Sequence, residues 1–230
     1  LRGKSAFITG GTSGIGLATA EAFLREGARV AITSRDEDRL AAALADLGDN
    51  ATGFVADIDD DEATEKAIAA AAAPSGGLDI VFANAGRYVH TPIGGTTRRD
   101  FEFQLGVVTG IFMTVQSAAP WLRERSSVIV MGSVYQTMGP PAAGGYAASK
   151  GAAASLARSW ASELAPRGIR VNVVVPGAVD TPGWGMARYD AQTQAEHRRL
   201  LGERAPLNRM VTAEEVANAV LFLASDEASG

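Results

Sequence analysis

The stretch Thr9-Gly10-Gly11-Thr12-Ser13-Gly14-Ile15-Gly16 decides the fold of this chain because of what stands on either side of it. Residues 4–8 form a short apolar run typical of a buried strand, and residues 17–24 have the spacing of an amphipathic helix. Glycines let the backbone turn tightly and approach a phosphate, while the start of a helix offers free amide donors. The sequence therefore predicts a phosphate-binding turn here; a glycine turn without a ligand is the alternative.

Beyond this turn, apolar strands alternate with amphipathic helices. Further strands are predicted at residues 28–33, 51–56, 78–83, 127–131 and 169–175, and helices at residues 14–26, 36–47, 60–73, 98–122 and 146–165. Such alternation favours an α/β fold, a doubly wound parallel sheet with helices on both faces in three layers. Because no linker or repeat interrupts the pattern, we expect a single domain over residues 1–230.

The composition narrows the class of protein. Apolar residues make up 47% of the 230 residues and charged residues 20%, as in a folded globular chain. Cysteine is absent, which excludes disulfides and thiol nucleophiles, and with only His90 and His197 present we expect no metal site. The net charge of −5 disfavours nucleic-acid binding, and no apolar run approaches the ~20 residues of a membrane span. We expect a cytoplasmic protein whose chain is trimmed at its first residue, Leu1.

A candidate acid/base group lies in the second half of the chain. Tyr146 and Lys150 are four residues apart in a predicted helix, so both side chains stand on one face. A lysine ammonium beside a phenol favours the phenolate and so lowers the pKa of the tyrosine. Ser133, thirteen residues upstream, adds a hydroxyl donor. Taken alone, such a pair is more often two surface residues, but here it accompanies the glycine turn.

Parallel topology brings the polar residues together. In a doubly wound sheet, ligands bind beyond the carboxyl ends of the strands. Six residues that follow predicted strands should therefore meet at one rim. They are Gly10, Ser34, Asp57, Asn84, Ser133 and Pro176.

These motifs resemble those of the short-chain dehydrogenase/reductase family along nearly the whole chain. Residues 9–16 are similar to its TGxxxGxG motif, and residues 83–86 to its NNAG motif, with alanine in the place of the first asparagine. Ser133, Tyr146 and Lys150 have its catalytic order and spacing, and residues 176–181 resemble its PGxxxT segment. The resemblance, strongest to 3-oxoacyl-[acyl-carrier-protein] reductase-like members, implies a Rossmann-type fold, a nicotinamide cofactor and interconversion of a carbonyl with a secondary alcohol.

The resemblance also implies roles for individual residues. Ser133 holds the substrate oxygen, Tyr146 is the general acid/base, and Lys150 lowers the tyrosine pKa and holds the nicotinamide ribose. The implied cofactor-binding residues are Gly10, Thr12, Ser13, Gly14, Ile15, Gly16, Ser34, Arg35, Asp57, Ile58, Asn84, Ala85, Gly86, Tyr146, Lys150, Pro176, Gly177, Val179 and Thr181.

The choice of cofactor depends on the residues after the second strand. An NAD site usually places an acid there, which bonds the ribose hydroxyls. This chain has Ser34 followed by Arg35, whose planar guanidinium suits a 2′-phosphate, although Asp36 is only one residue further on. We therefore predict NADP(H), with NAD(H) possible. Pairing of Arg35 with Asp38 is the alternative reading of the arginine.

One position departs from the family pattern. Residues 106–110 match a VNxxG segment, and Val107 stands where an asparagine that seats a relay water is expected. The valine carbonyl can still bind that water, Gly106 can permit a helix distortion, and Gln104 can reach inward. A catalytically weak cofactor-binding regulator is thus one alternative function. A sugar-nucleotide epimerase or dehydratase is another, although such enzymes usually have a longer substrate domain.

The identity of the substrate is what the sequence specifies least. Residues 182–209 read as a lid that contains Trp184, Met186 and Tyr189, and the residues expected along the pocket are Arg87, Tyr88, His90, Tyr135, Gln136 and Met138. Small residues on the helix at 146–165 allow close helix packing, and the family pairs this helix and the one at 98–122 across a two-fold axis. We expect a homo-oligomer, dimer or tetramer, acting on a small molecule. Relatives continue into a final strand, which we expect to be missing here.

Overall fold

The computed structural model describes residues 1–182 and 190–229. Its strands are β1 (Ser5–Ile8), β2 (Arg29–Ser34), β3 (Ala51–Val55), β4 (Leu78–Ala83), β5 (Leu122–Met131) and β6 (Arg170–Val174). Its helices are α1 (Gly14–Arg25), α2 (Glu37–Leu47), α3 (Asp61–Ala72), α4 (Arg98–Ala118), α5 (Gly144–Leu164), α6 (Ala191–Glu203) and α7 (Ala213–Ala224). The strands pair in parallel in the order β3-β2-β1-β4-β5-β6, which confirms the predicted doubly wound sheet.

Both faces of the sheet are buried. Ile8 and Phe82 belong to one apolar cluster, whereas their chain neighbours Phe7 and Val81 belong to another on the opposite face. Alternate strand residues point to opposite faces, so central parallel strands need apolar residues at nearly every position. The strand order reverses between β1 and β4, which opens a crevice at their carboxyl ends.

Two boundaries differ from the sequence expectation. The helix predicted over residues 98–122 ends at Ala118, and the strand predicted from residue 127 already begins at Leu122. Pro120 explains the helix end: Ala119 still donates to the Val115 carbonyl oxygen, but the proline after it has no amide proton to continue the ladder. Leu122 then pairs with Leu78, and the register shifts before Ile80.

Two helices follow β6 that the strand–helix pattern did not predict as elements. For α7 a signal was present: Thr212 and Glu215 form a reciprocal capping box, the Thr-x-x-Glu pattern that starts helices. α6 lies in the region read as a lid. Within that region, residues 183–189 with Trp184, Met186 and Tyr189 lie outside the described residues. In the described ranges, no helix combines the length and apolarity that crossing a bilayer requires.

Candidate active site

The glycine turn between β1 and α1 has room only for glycine. Gly10 and Gly14 have φ of 66° and 52°, in the left-handed region that side chains disfavour. A Cβ on Gly16 would overlap the Gly10 carbonyl oxygen and lie 2.7 Å from Asn84 Nδ2. The first turn of α1 therefore packs directly onto the turn that precedes it.

α1 begins without a side-chain cap. Its N-cap residue Ser13 is extended and exposed, and its hydroxyl accepts no bond from the first turn. Five other helices have a capping carboxylate or hydroxyl, namely those of Asp36, Asp60, Thr97, Asp190 and Thr212. Within residues 1–182 and 190–229, no side chain caps the leading amides of α1, which suits a pyrophosphate. Of the predicted turn residues, Thr12 donates to Ser34 Oγ at 3.4 Å, and Ile15 packs against the core.

Asn84 ties β4 to this turn. Its side-chain amide donates to the carbonyl oxygens of Thr9 at 3.0 Å and Gly10 at 3.3 Å. In return, Thr9 Oγ1 accepts from the backbone amides of Asn84 and Ala85, both at 3.0 Å. Gly86 follows, solvent-accessible at the crevice, and a Cβ there would lie 3.8 Å from Lys150 Nζ.

Residues 176–181 bridge the two halves of the crevice. The Pro176 carbonyl accepts from Val134 N at 3.1 Å, next to Ser133. At the other end, a Cβ on Gly14 would lie 3.2 Å from Thr181. Between them, Gly177 is exposed in open space, and Val179 is buried and bridges to Val211.

At the carboxyl end of β2, a buried serine, Ser34, is followed by an exposed arginine, Arg35. Ser34 Oγ accepts from Asp36 N at 3.1 Å. The Asp36 carboxylate turns to α2, where it accepts from Arg39 N at 3.0 Å and pairs with the Arg39 guanidinium at 3.3 Å. Arg35 is exposed and makes no ion pair within residues 1–182 and 190–229, so the alternative pairing with Asp38 is not seen.

Asp57 and Ile58 lie in the loop after β3. The Asp57 carboxylate accepts from Asp59 N at 3.1 Å, while the cap of the following helix is Asp60. Ile58 packs against α4, where a Cβ on Gly110 would lie 2.7 Å from the Ile58 carbonyl oxygen. The loop therefore rests on α4 at the side of the crevice.

Ser133, Tyr146 and Lys150 lie together at the ends of β5 and α5. Lys150 is only 2% exposed, and its Nζ donates to the Met131 carbonyl oxygen at 2.7 Å. The same Nζ lies 5.8 Å from the centre of the Tyr146 ring. Ser133 caps the short 3-10 helix Val134–Gln136 through a bond from Tyr135 N at 3.2 Å.

The protonation energetics differ from the sequence expectation. Burial raises the pKa of Tyr146, and its side-chain hydrogen bond with Ser133 opposes that rise. Burial also lowers the pKa of Lys150 to about 8. The expected lowering of the tyrosine pKa by the lysine is absent, because Lys150 directs its ammonium to Met131 O rather than to the phenol.

Two further tyrosines surround the Tyr146 ring. Tyr88 stands edge-on to it with centroids 5.2 Å apart, and Tyr135 with centroids 5.9 Å apart. His90 in turn packs edge-on to Tyr88 at 5.6 Å. Of the residues expected along the pocket, Tyr88 and Tyr135 therefore contact the candidate acid/base group and His90 reaches it through Tyr88, whereas Arg87 is engaged by Asp59 and Phe103.

At the VNxxG departure, the structure shows the inward reach expected of Gln104 but not the helix distortion expected at Gly106. Val107 is fully buried in an apolar cluster, and Gly106 lies within the unbroken helix α4. A Cβ on Gly106 would overlap Arg87 Nη2, so the glycine leaves room for that side chain. Gln104 does reach inward, but its partners are Arg87, Val89 and Ser149, not Lys150. The only sequence signal for these contacts of Gln104 was an amide side chain on the inner face of a predicted helix.

Comparison with known proteins shows which family the chain belongs to. A family model described as Enoyl-(Acyl carrier protein) reductase matches residues 10–230. The oxidoreductase asL5 of Sarocladium schorii is 38% identical over 100% of this chain and 91% of its own length. The glucose 1-dehydrogenase of Gluconobacter oxydans is 35% identical over 99% of this chain and 87% of its own.

A solved structure is similar over the whole chain. It is the 3-ketoacyl-(acyl-carrier-protein) reductase of Brucella melitensis complexed with NADH, which aligns with a TM-score of 0.90 and 29% identity over 100% of this chain and 93% of its own. These likenesses cover the glycine turn, the crevice and both long helices. This chain belongs to the short-chain dehydrogenase/reductase family, whose enzymes interconvert alcohols and carbonyls with NAD(P).

Proposed function

We propose that this protein is an NADP(H)-dependent oxidoreductase that interconverts a carbonyl and a secondary alcohol, with Tyr146 as the general acid/base. The observation that carries the proposal is the meeting of Ser133, Tyr146 and Lys150 in one crevice. The uncapped start of α1 opens into that crevice, and residues 176–181 link the two ends. A proton donor and an anion-binding turn on one crevice are what such a reaction needs.

The cofactor fits the residues present. Free amides at the start of α1 suit its pyrophosphate, and the exposed Gly86 leaves the crevice open beside Lys150. When bound, the nicotinamide supplies or accepts the hydride. We assign the remaining predicted cofactor-binding residues to the walls of the same crevice.

The protein's own residues handle the substrate oxygen and its proton. In the direction of reduction, Ser133 donates a hydrogen bond to the carbonyl oxygen, and Tyr146 donates its phenolic proton as charge develops there. Tyrosine ordinarily titrates near ~10, and burial raises the pKa of Tyr146 further, so its phenol is protonated near neutral pH and has a proton to donate. Lys150, held by Met131 O, provides a buried amine next to the ring.

The preference for NADP(H) is supported by the residues after β2. The Asp36 carboxylate is engaged with α2, so no acid faces the ribose position from that residue. Arg35 is exposed without an ion-pair partner among the described residues, and a planar guanidinium binds phosphate in a bidentate manner. NAD(H) is the alternative, favoured by the Brucella relative, which was solved with NADH.

We further propose that the protein forms homo-oligomers through α4 and α5. Phe101 and Phe112 of α4 are 41% and 38% exposed. Phe112 leans on Trp160 of α5 with centroids 6.0 Å apart, so the aromatic surface continues across both helices. Such a contiguous apolar surface is typical of a protein interface.

A catalytically weak cofactor-binding protein is the second candidate. Val107 favours it, because an aliphatic side chain buried among Ala83, Ile111 and Val130 has no polar group for a proton relay. In that case the nucleotide binds, but turnover is slow and independent of Tyr146.

The deciding experiment follows the oxidation of NADPH and NADH against a panel of carbonyls, with wild type beside Tyr146→Phe. The panel spans 3-oxoacyl thioesters, diketones, cyclic and aromatic ketones and ketosugars. We expect faster oxidation of NADPH, and a loss of about 10²-fold or more in the phenylalanine variant. Nucleotide binding with no Tyr146-dependent turnover would favour the second candidate.

A further inference from the structure

We infer that Tyr88 is a specificity-determining residue, and that with Tyr135 it selects a neutral carbonyl substrate bearing a ring next to the reacting carbon. The inference rests on the proposed function of the same site. It deepens that function by naming the class of substrate.

The first observation is the placement of the two tyrosines. Their rings stand at 69° and 87° to the Tyr146 ring, so two aromatic walls flank the proton donor. Tyr88 and Tyr135 are both half-buried, so part of each residue beside Tyr146 is accessible. Aromatic rings prefer such edge-to-face arrangements, and a substrate ring beside Tyr146 would meet both walls.

The second observation is a side chain that holds Tyr88 in place. Gln104 is fully buried, its Nε2 donates to the Arg87 carbonyl oxygen at 3.1 Å, and its Oε1 accepts from Val89 N at 2.7 Å. One amide group thus binds the backbone on both sides of Tyr88. A clamped backbone makes the ring a preorganised wall rather than a loop side chain that moves away.

The same amide connects Tyr88 to the acid/base residue. Gln104 Nε2 lies 3.4 Å from Ser149 Oγ, and that hydroxyl donates to the Tyr146 carbonyl oxygen at 2.8 Å. Both tyrosine backbones are therefore tied to one buried side chain. Their mutual distance depends on it, which makes Gln104 a positioning residue.

The third observation concerns charge. Arg87 is the cation nearest in sequence to Tyr88, and its guanidinium is engaged by the Asp59 carboxylate through two bonds of 2.7 and 2.9 Å. It also lies over the Phe103 ring at 3.8 Å and donates to the Phe103 carbonyl oxygen at 2.8 Å. Among the described residues, this side of the Tyr146 ring therefore offers aromatic surface and no unpaired arginine or lysine. Such a surface favours a neutral ring over an anionic group.

The test measures binding apart from chemistry. Benzamide and heptanamide have the same number of carbons, and their amide carbonyls accept the same hydrogen bonds as a ketone but resist hydride transfer. Their dissociation constants are measured by calorimetry on the full chain saturated with NADP⁺. We expect wild type to bind benzamide about fivefold or more tightly than heptanamide. Tyr88→Phe should keep the preference, whereas Tyr88→Leu should reduce it to within about twofold.

The control is Phe222→Leu, the same change in size on an exposed side chain of α7, which should leave the preference as in wild type. Equal or undetectable binding of both amides to wild type overturns the inference, as does an unchanged preference in Tyr88→Leu. Reduction of acetophenone, which carries a ring next to its carbonyl carbon, and of 2-octanone, which has the same number of carbons, is measured alongside. Ring preference without any turnover contradicts the proposed function but not this inference, and turnover without ring preference contradicts this inference alone.

Discussion

Asp36 and Arg39 hold each other at the first turn of α2, through an amide bond of 3.0 Å and an ion pair of 3.3 Å. That contact turns Asp36, the acid that directly follows Arg35, toward the helix. Arg35 has no ion-pair partner in the described part of the chain. Two arginines four residues apart thus differ in whether their charge is already engaged.

The charge of Arg35, which has no ion-pair partner among the described residues, predicts how the protein distinguishes NADPH from NADH. Arg35→Ala should raise the KM for NADPH by about tenfold or more and change that for NADH little, because a charged bond to a phosphate is lost. Arg29→Ala, which removes an exposed arginine at the opposite end of β2, is the matched control and should leave the ratio of the two constants within about twofold. An equal rise for NADPH and NADH in Arg35→Ala would contradict a 2′-phosphate contact.

The glycine turn predicts a binding defect that comes from a single methyl group. Gly16→Ala places a Cβ against the Gly10 carbonyl and Asn84, so we expect a loss of about 1–3 kcal/mol in the free energy of unfolding and more than about tenfold in nucleotide affinity. Urea unfolding and fluorescence titration measure the two effects. Gly139→Ala, where a Cβ meets nothing within 4 Å, is the control, and similar behaviour of the two variants would refute the argument.

Burial of Lys150 predicts a pH dependence of stability. With its pKa lowered to about 8, the folded chain binds fewer protons there than the unfolded chain between that pH and the ordinary lysine value. The free energy of unfolding should therefore rise with pH, by about 2 kcal/mol from this group between about pH 7 and about pH 9.5. Urea unfolding of wild type and Lys150→Met at both pH values gives the difference. Parallel pH profiles for the two proteins would show that the lysine is not desolvated.

Gly106 and Arg87 predict an energetic coupling. Alanine at an ordinary helix position is better than glycine by about 1 kcal/mol, but at residue 106 its Cβ would displace the Arg87 guanidinium and lie 2.8 Å from Asp59 Oδ1. Gly106→Ala should stabilise the Arg87→Ala variant by about that amount and wild type by clearly less. A double-mutant cycle in urea measures the coupling, and strictly additive effects would count against the contact.

The aromatic surface of α4 and α5 predicts the assembly state. Phe112→Glu puts a charge beside Trp160, and we expect the oligomer to dissociate to monomers at micromolar concentration. Val55→Glu, an equally polar change on the 53% exposed Val55 of β3, should not. Sedimentation velocity distinguishes the two, and a Phe112→Glu protein that stays associated would place the interface elsewhere.

The features that could be predicted from the sequence are those encoded locally. The glycine turn, the order of strands and helices and the Tyr146–Lys150 spacing depend on residues close along the chain, and their placement followed from the parallel topology. The end of α4 was also encoded locally, by Pro120. The apolar residues on both sides of that proline continue the helical spacing, so the helix predicted from the sequence extended past it.

The remainder depends on contacts between distant residues. Spacing places Lys150 beside Tyr146, but it does not show that Met131 O, nineteen residues away, takes the ammonium and that burial then raises the pKa of the phenol. Gly106 was read as a point of helix distortion, whereas its role is to accommodate an arginine from another loop. In neither case does the local sequence around one residue indicate which distant residue it contacts.

The bare start of α1 links folding to nucleotide supply. A side-chain cap bonds a first-turn amide whether or not a ligand is present, whereas at α1 a bound anion would supply that bond, so this turn should exchange its amide protons faster in the empty protein than in the nucleotide complex. At a hundredfold excess of nucleotide over its dissociation constant, mass action adds about 2.7 kcal/mol to the folded state. The lifetime of this protein against proteolysis should then follow the concentration of its own cofactor.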